Sequence, residues 1–386
     1  MSPLDAIRRY HDDLTAIRHD LHAHPELGMN EHRTAEQVAR LLEEWGIEVH
    51  RGVGGTGVVG VLRSGNGPGA IGLRADMDAL PIREATGLAY ASGNPGTMHA
   101  CGHDGHTTML LGAARYLAET RGFNGTVNFI FQPGEEGAGG ALAMLEDGLF
   151  ARFPCAKIFG IHNRPGLAVG SCAISPGASS AGGAFFDIEI TGRGAHGARP
   201  EESIDPVLVA CHIGTALQSL IARNLSPWKA AVLSVTKIEG GAAYNVIPGS
   251  ARLAGTARAM QRETLALLEA GIARIAAHVA SAFGATATTD FRVIFAPLIN
   301  DAAAATEFAD AAAELVGVAA VDRARPPGMG SEDFSFMMEQ VPGAYLNVGN
   351  GDSAALHNAA YDFNDATIPY GAALFARLAE RILPRG

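Results

Sequence analysis

Residues 126–137 read TVNFIFQPGEEG. An apolar, β-branched and aromatic run stops at Pro133-Gly134, and the carboxylate pair Glu135 and Glu136 follows at once. A short apolar run bounded by turn residues is how a buried strand reads. The pair then falls at the strand's carboxyl end, where α/β proteins gather their sites. Neighbouring side chains of an extended chain point apart. One carboxylate can therefore hold a cation while the other faces an open coordination position as a base. A solvated pair favoured by a helix dipole is the competing reading.

Outward from this strand the pattern repeats. VVGVL (58–62), AIGLRA (70–75) and KIFGIH (157–162) are apolar runs of strand length. Helical spacing of apolar residues marks 3–21 (Leu4, Ile7, Leu14, Ile17, Leu21), a segment after Thr34, about 105–120 and about 139–147. Strands alternating with helices imply an α/β fold with a mostly parallel sheet covered by helices. Near residue 184 the pattern changes. FFDIEITG alternates apolar and polar residues, the mark of a sheet with one solvated face. A helix at 204–223, strands AAVLSVTKIEGG and SARLAGTAR, a helix at 261–283 and strand TATTDFRV follow. This β-α-β-β-α-β order is the split βαβ arrangement. Beyond Pro297 the first pattern returns, with helices at 302–316 and 368–382 around the strand AYLNVG. The expected organisation is a discontinuous domain, 1–182 and 296–386, interrupted by an inserted α+β, ferredoxin-like domain at 183–295.

Composition agrees with an enzyme of this size. The 386 residues carry a formal net charge of −11 and 47% hydrophobic residues, enough apolar material for buried cores. The acidic balance and the absence of a basic run exclude a nucleic-acid binder, which needs excess Lys and Arg. Cys101, Cys155, Cys172 and Cys211 are too few for a disulfide scaffold in so long a chain. The start MSPLDAIRRYHDDL lacks the apolar core of a secretory signal. No apolar run is expected to reach the roughly 20 residues that span a bilayer. The expectation is a cytoplasmic protein, away from membranes, with free thiols.

The densest chemical signal is MHACGHDGHT (98–107), with His99, Cys101, His103, Asp104 and His106. Cys and His this close are ingredients of a transition-metal site, and the interleaved small residues let backbone fold around an ion. A satisfied cluster at a helix start, with His103 or Asp104 capping, is the alternative. His162 ends the strand KIFGIH, and His357 lies in the turn-like ALHNAAYDF. Either alone could be an ordinary histidine. Asp76 and Asp78 in LRADMDALPI follow a buried strand, where a carboxylate can orient a ligand histidine or merely cap a helix. Thiolate, imidazole and carboxylate donors together suit zinc, manganese, cobalt or nickel.

At these residues the chain resembles a known family. LHAHPELG (21–28), LRADMDALPI, MHACGHDGHT, QPGEEG, IHN, TGRGAHGARP (191–200), YNVIPG (244–249), GSEDFSF (330–336) and LHN are similar, in this order, to the di-metal aminoacylase and carboxypeptidase family. The branch most similar contains hippurate hydrolase, N-acyl-amino-acid amidohydrolases and auxin-conjugate hydrolases. The resemblance implies a metallo-exopeptidase-like catalytic domain holding a pair of divalent ions. It gives Cys101 the bridging position and makes His103, Glu136, His162 and His357 the remaining ligands, with Glu135 as general base. It puts Arg74 where other branches carry a ligand histidine and makes Asp76 a carboxylate behind the ligands. His196 corresponds to a histidine that reaches across a dimer to the scissile carbonyl oxygen. Asn245 and Arg258 correspond to lid residues that bind the substrate carboxylate. The implied activity is hydrolysis of N-acyl amino acids by a homodimer joined through the lid. The alternatives are a dipeptidase or carboxypeptidase of the same family, a cysteine hydrolase using Cys101, and a non-catalytic metal-binding module.

Overall fold

The computed structural model describes residues 2–385. The chain forms two compact units. The first takes in the chain up to Ser179, Ile299–Pro326 and everything from Asp333 onward. The second is Ser180–Leu298 with the short return segment Pro327–Glu332.

In chain order, after a one-turn helix at Pro3–Ile7, the first unit has helices α1 (His11–Ala23) and α2 (His32–Glu44) and strands β1 (Glu48–Val53), β2 (Gly57–Ser64) and β3 (Ala70–Asp76). Then come α3 (His103–Thr120), β4 (Gly125–Gln132), α4 (Gly140–Glu146), β5 (Lys157–Arg164) and β6 (Cys172–Ala173). The second unit supplies β7 (Gly182–Thr191), α5 (Pro206–Ser219), β8 (Ala231–Gly240), β9 (Ser250–Ala259), α6 (Arg262–Ala282) and β10 (Thr286–Phe295). The first unit closes with α7 (Ala302–Val316), β11 (Val321–Asp322), α8 (Phe334–Gln340), β12 (Gly343–Gly349) and α9 (Ile368–Ile382).

The first unit is built on an eight-stranded sheet, ordered β1-β2-β4-β3-β5-β12-β6-β11. Its centre is parallel: β4, β3, β5 and β12 run together. Antiparallel pairs flank it at β1–β2, β2–β4 and β12–β6, and the outermost pair, β6–β11, is parallel again. The central strands are apolar on both faces because both faces are covered. Phe129 and Phe131 of β4, Leu73 of β3 and Phe159 of β5 are fully buried with Leu110 and Leu111 of α3 and Phe375 of α9. Each such side chain contributes about 1.5–3 kcal/mol by leaving water, so this layer outweighs local propensity in fixing strand order.

The second unit is a four-stranded antiparallel sheet, ordered β8-β9-β7-β10. Phe186, Ile188 and Ile190 of β7 and Leu253 of β9 bury against Ile213 and Leu217 of α5 and Leu268 and Ile272 of α6. Two features differ from the sequence expectation. Pro327–Glu332 groups with this unit because Ala181 N–H donates to the carbonyls of Gly328 and Gly330, and Arg258 Nη1 donates to Ser331 Oγ. Helices Pro206–Asn224 and Arg262–Ala282 are long and apolar enough to cross a membrane by length and composition. Their apolar character has another use here, since Val209, Ile213, Leu268 and Ile272 belong to this unit's core.

Candidate metal centre

The carboxyl ends of β3, β4 and β5 converge with the start of α3 and the turn after β12. Gly102 makes the entry to α3 possible. Its φ is +91°, and a Cβ there would lie 2.0 Å from Asn163 Nδ2, so only glycine fits both the left-handed backbone and the close approach. Asn163 in turn donates to the Cys101 carbonyl at 2.8 Å. His357 sits at φ +63°, and its N–H donates to the Ala100 carbonyl at 2.8 Å. The turn that carries His357 is thereby stitched to the loop that carries Cys101.

Two donor groups share one thiol. Cys101, His103 and His162 place ligand atoms within 4.8 Å of one another, and so do Cys101, Glu136 and His357. That is the arrangement a sulfur bridging two cations needs. Two of the rings are turned for ligation. His162 directs Nδ1 at the Asn163 carbonyl, 2.6 Å away, which leaves Nε2 facing Cys101 Sγ at 3.5 Å. His103 gives Nδ1 to Asp78 Oδ1 at 3.1 Å, and its buried Nε2 has no hydrogen-bond partner among the described residues. A buried polar atom left so is costly unless something else binds it. His357 Nε2 stands 3.1 Å from Glu136 Oε1 as an ion pair, off the line a hydrogen bond requires.

The electrostatics point the same way. Burial presses the His103 ring toward neutrality, but Asp76, Cys101 and Asp78 outweigh it and raise the ring well above the usual imidazole range. Cys101 and Glu136 raise His357 to about 10. Burial pushes the Cys101 thiol up and holds His162 neutral. The pocket draws positive charge onto the His103 and His357 rings, a demand that divalent cations would meet while taking the thiol as thiolate. The residues fit a pair of metal ions.

Other members of the motif have different duties. His106 bonds Asp76 Oδ1 through Nδ1 at 2.6 Å and accepts from Asn163 N–H through Nε2 at 3.0 Å, so both nitrogens are used. Asp104 accepts from His22 Nδ1 at 2.8 Å and from Gly105 N–H, and Arg18 Nη1 lies 3.7 Å from it. His99 is buried and lowered to about 4 by that burial. The carboxylate that orients His103 is Asp78, whose other oxygen accepts Glu136 N–H at 2.9 Å. Asp76, which the resemblance puts behind the ligands, pairs with His106 and with Arg74 Nη1 at 2.8 Å, and its Oδ2 lies 3.8 Å from His103 Nε2. Arg74 also donates to Gln132 Oε1 at 2.9 Å. Glu135 lies in the same loop as Glu136 and accepts Asp333 N–H at 3.3 Å. Sequence reasoning did not single out Asp333 or Gln132, although the quoted stretches GSEDFSF and QPGEEG contain them.

The three remaining candidates belong to the second unit. His196 lies on the two-residue strand Ala195–His196, paired with Val246–Ile247, and is exposed. Asn245 is exposed beside it, its carbonyl accepting Gly197 N–H at 2.7 Å. Arg258 of β9 lies over Gly183 of β7 and donates to Ser331 Oγ at 2.6 Å.

Comparison with known proteins gives a consistent picture. The profile of peptidase family M20/M25/M40 matches residues 72–381. The chain is 43% identical to a hippurate hydrolase of Campylobacter jejuni, over 95% of this chain and 96% of that one. It is 37% identical to an N-acetylcysteine deacetylase of Bacillus subtilis, over 98% and 99%. A solved dinuclear metal-binding peptidase of the M20 family from Bacillus subtilis superposes with a TM-score of 0.86 at 34% identity, covering 97% of this chain and 99% of that one.

Proposed function

Because the chain belongs to peptidase family M20/M25/M40, we propose that it is a metal-dependent amidohydrolase that cleaves N-acyl amino acids to a carboxylate and a free amino acid. The observation that carries this reading is the pair of donor groups sharing Cys101, with Glu135 beside the ligand Glu136.

Cys101, His103 and His162 would hold one ion, and Cys101, Glu136 and His357 the other. Bound there, the ions lower the pKa of water and polarise the amide carbonyl. Glu135 takes one proton from the attacking water as its oxygen joins the acyl carbon. The carboxylic acid so formed gives that proton to the amine as the C–N bond breaks. His196 is assigned to the developing oxyanion, supplied from a partner copy. Arg258 and Asn245 are assigned to the substrate carboxylate, a pairing that suits the forked guanidinium. Thiolate and imidazole donors favour zinc, manganese, cobalt or nickel.

A homodimer through the second unit completes the reading. Its sheet ends on β8, where Val232 and Ile238 are exposed. Trp228, just before that strand, is 94% exposed. An uncovered apolar edge invites pairing with its own copy.

The test is hydrolysis of hippurate, N-acetyl-methionine, N-acetylcysteine, N-acetyl-diaminopimelate, an indoleacetyl amino acid and a dipeptide. The protein is first stripped by chelator and then given each metal separately. Metal-restored release of an amino acid from an acyl conjugate is expected. Full activity after chelation would return the assignment to a thiol hydrolase. Silence on the whole panel with two ions bound per chain would leave a metal-binding module.

A further inference from the structure

The loop that presents Glu135 and Glu136 has two backbone bonds of its own, Gly137 N–H to the Glu135 carbonyl at 2.6 Å and Gly140 N–H to the Gly134 carbonyl at 3.1 Å. Gly134, Gly137 and Gly139 have φ of +56°, +86° and +76°, conformations open to glycine and therefore costly to fix. Three carboxylates brace the loop from outside. Gly134 N–H donates to Glu31 Oε1 at 2.8 Å, Glu136 N–H to Asp78 Oδ2 at 2.9 Å, and Ala141 N–H to Asp333 Oδ2 at 3.0 Å. Burying a carboxylate is unfavourable unless it is fully bonded, so three around one loop need a reason.

Asp333 differs from the other two. Its Oδ1 accepts Gln132 Nε2 at 2.7 Å, with Arg74 Nη2 at 3.5 Å. Gln132 is the last residue of β4 and Ala141 lies in the first turn of α4, so one side chain clamps both ends of the loop. Arg74 occupies Gln132 Oε1, which forces the amide nitrogen toward Asp333. The backbone N–H of Asp333 then donates to Glu135 Oε1 itself.

We propose that Asp333 is a positioning residue for Glu135: it fixes the loop that carries the base and orients the base's carboxylate. The proposal rests on the reading of Glu135 as general base. A base must come within hydrogen-bond reach of the proton it removes, and a misplacement of about 1 Å can cost on the order of a hundredfold in rate.

Asp333→Asn keeps the shape of the side chain, yet whichever way the new amide turns, it sets a donor against Gln132 Nε2 or Ala141 N–H. The expected result is a kcat lowered by about a hundredfold, with KM and bound metal unchanged within about a factor of two. The deciding measurement is the double-mutant cycle with Glu135→Gln. If Asp333 acts through Glu135, adding Asp333→Asn to Glu135→Gln lowers the rate no further. An unchanged kcat in Asp333→Asn, or an equal further loss in the double variant, overturns the proposal and leaves Glu135 as the base. Full activity of Glu135→Gln alone overturns both readings. If Asp333→Asn does not fold, Gln132→Leu enters the same cycle, with the same expected non-additivity and the same overturning result.

Discussion

His103 and Asp78 are joined at 3.1 Å through His103 Nδ1, which leaves Nε2 as the ring nitrogen open to a metal. Asp78 also receives the Glu136 amide, so one carboxylate orients a ligand in each donor group. Removing such a support costs about 10–100-fold in metal affinity. Asp78→Ala is expected to bind metal that much more weakly while keeping its fold, as read by competitive titration against a chromogenic chelator and by thermal melting. Unchanged affinity would assign the orientation of His103 to its surroundings instead.

Glu135→Gln should retain bound metal, because the assigned ligands Cys101, His103, Glu136, His162 and His357 are untouched. Loss of a general base costs about 10²–10⁴-fold. The expected outcome is a kcat reduced by that factor with elemental analysis unchanged. A comparable loss accompanied by loss of metal would make Glu135 a ligand.

In the second unit, a Cβ on Gly183 would lie 1.9 Å from Arg258 Nη1. Gly183→Ala must therefore push the guanidinium off Ser331. If Arg258 binds the substrate carboxylate, KM rises, on the order of tenfold for a weakened charge-assisted bond, while kcat falls less. An unchanged KM would remove Arg258 from substrate binding.

The buried His22 gives a pH prediction. Burial lowers its tendency to protonate, but the Asp104 carboxylate at 2.8 Å outweighs this, and the ring is raised above the ordinary histidine range. A folded-state value above the unfolded one, about 6.5, makes protonation stabilising. The contribution is complete below that pH and disappears as pH rises through the folded value. Melting temperatures of the native chain should fall from pH 6 to 9 more steeply than those of His22→Asn, whose amide donates to Asp104 without titrating. Parallel curves would show that His22 stays neutral.

The central strands were legible because burial on both faces leaves an unmistakable apolar run, as in TVNFIFQ. Strand β1 was not: EVHRGV lies at the sheet edge with most residues exposed or half-buried, so no core writes a period into it. The antiparallel flanks were hidden for a related reason, since a buried strand reads alike in either direction. Candidate ligands were visible as a density of Cys and His. Asp333 and Gln132 were not, because they act through backbone amides and through each other, across 201 residues of chain. Asp78 and Asp76 lie two positions apart, and only the fold distinguishes which of them meets His103.

The order of synthesis gives the interrupted sheet a further consequence. Strand β12 lies between β5 and β6, yet residues 165–342 separate it from β5 in the chain, including the whole of Ser180–Leu298. While a ribosome makes that intervening unit, the edge of β5 has no neighbour, and unpaired edges on a nascent chain are prone to aggregate. His357 emerges later still. A chain released before that point would carry Cys101, His103, Glu136 and His162 but could not complete the second donor group, so metal binding there would report that synthesis had passed His357.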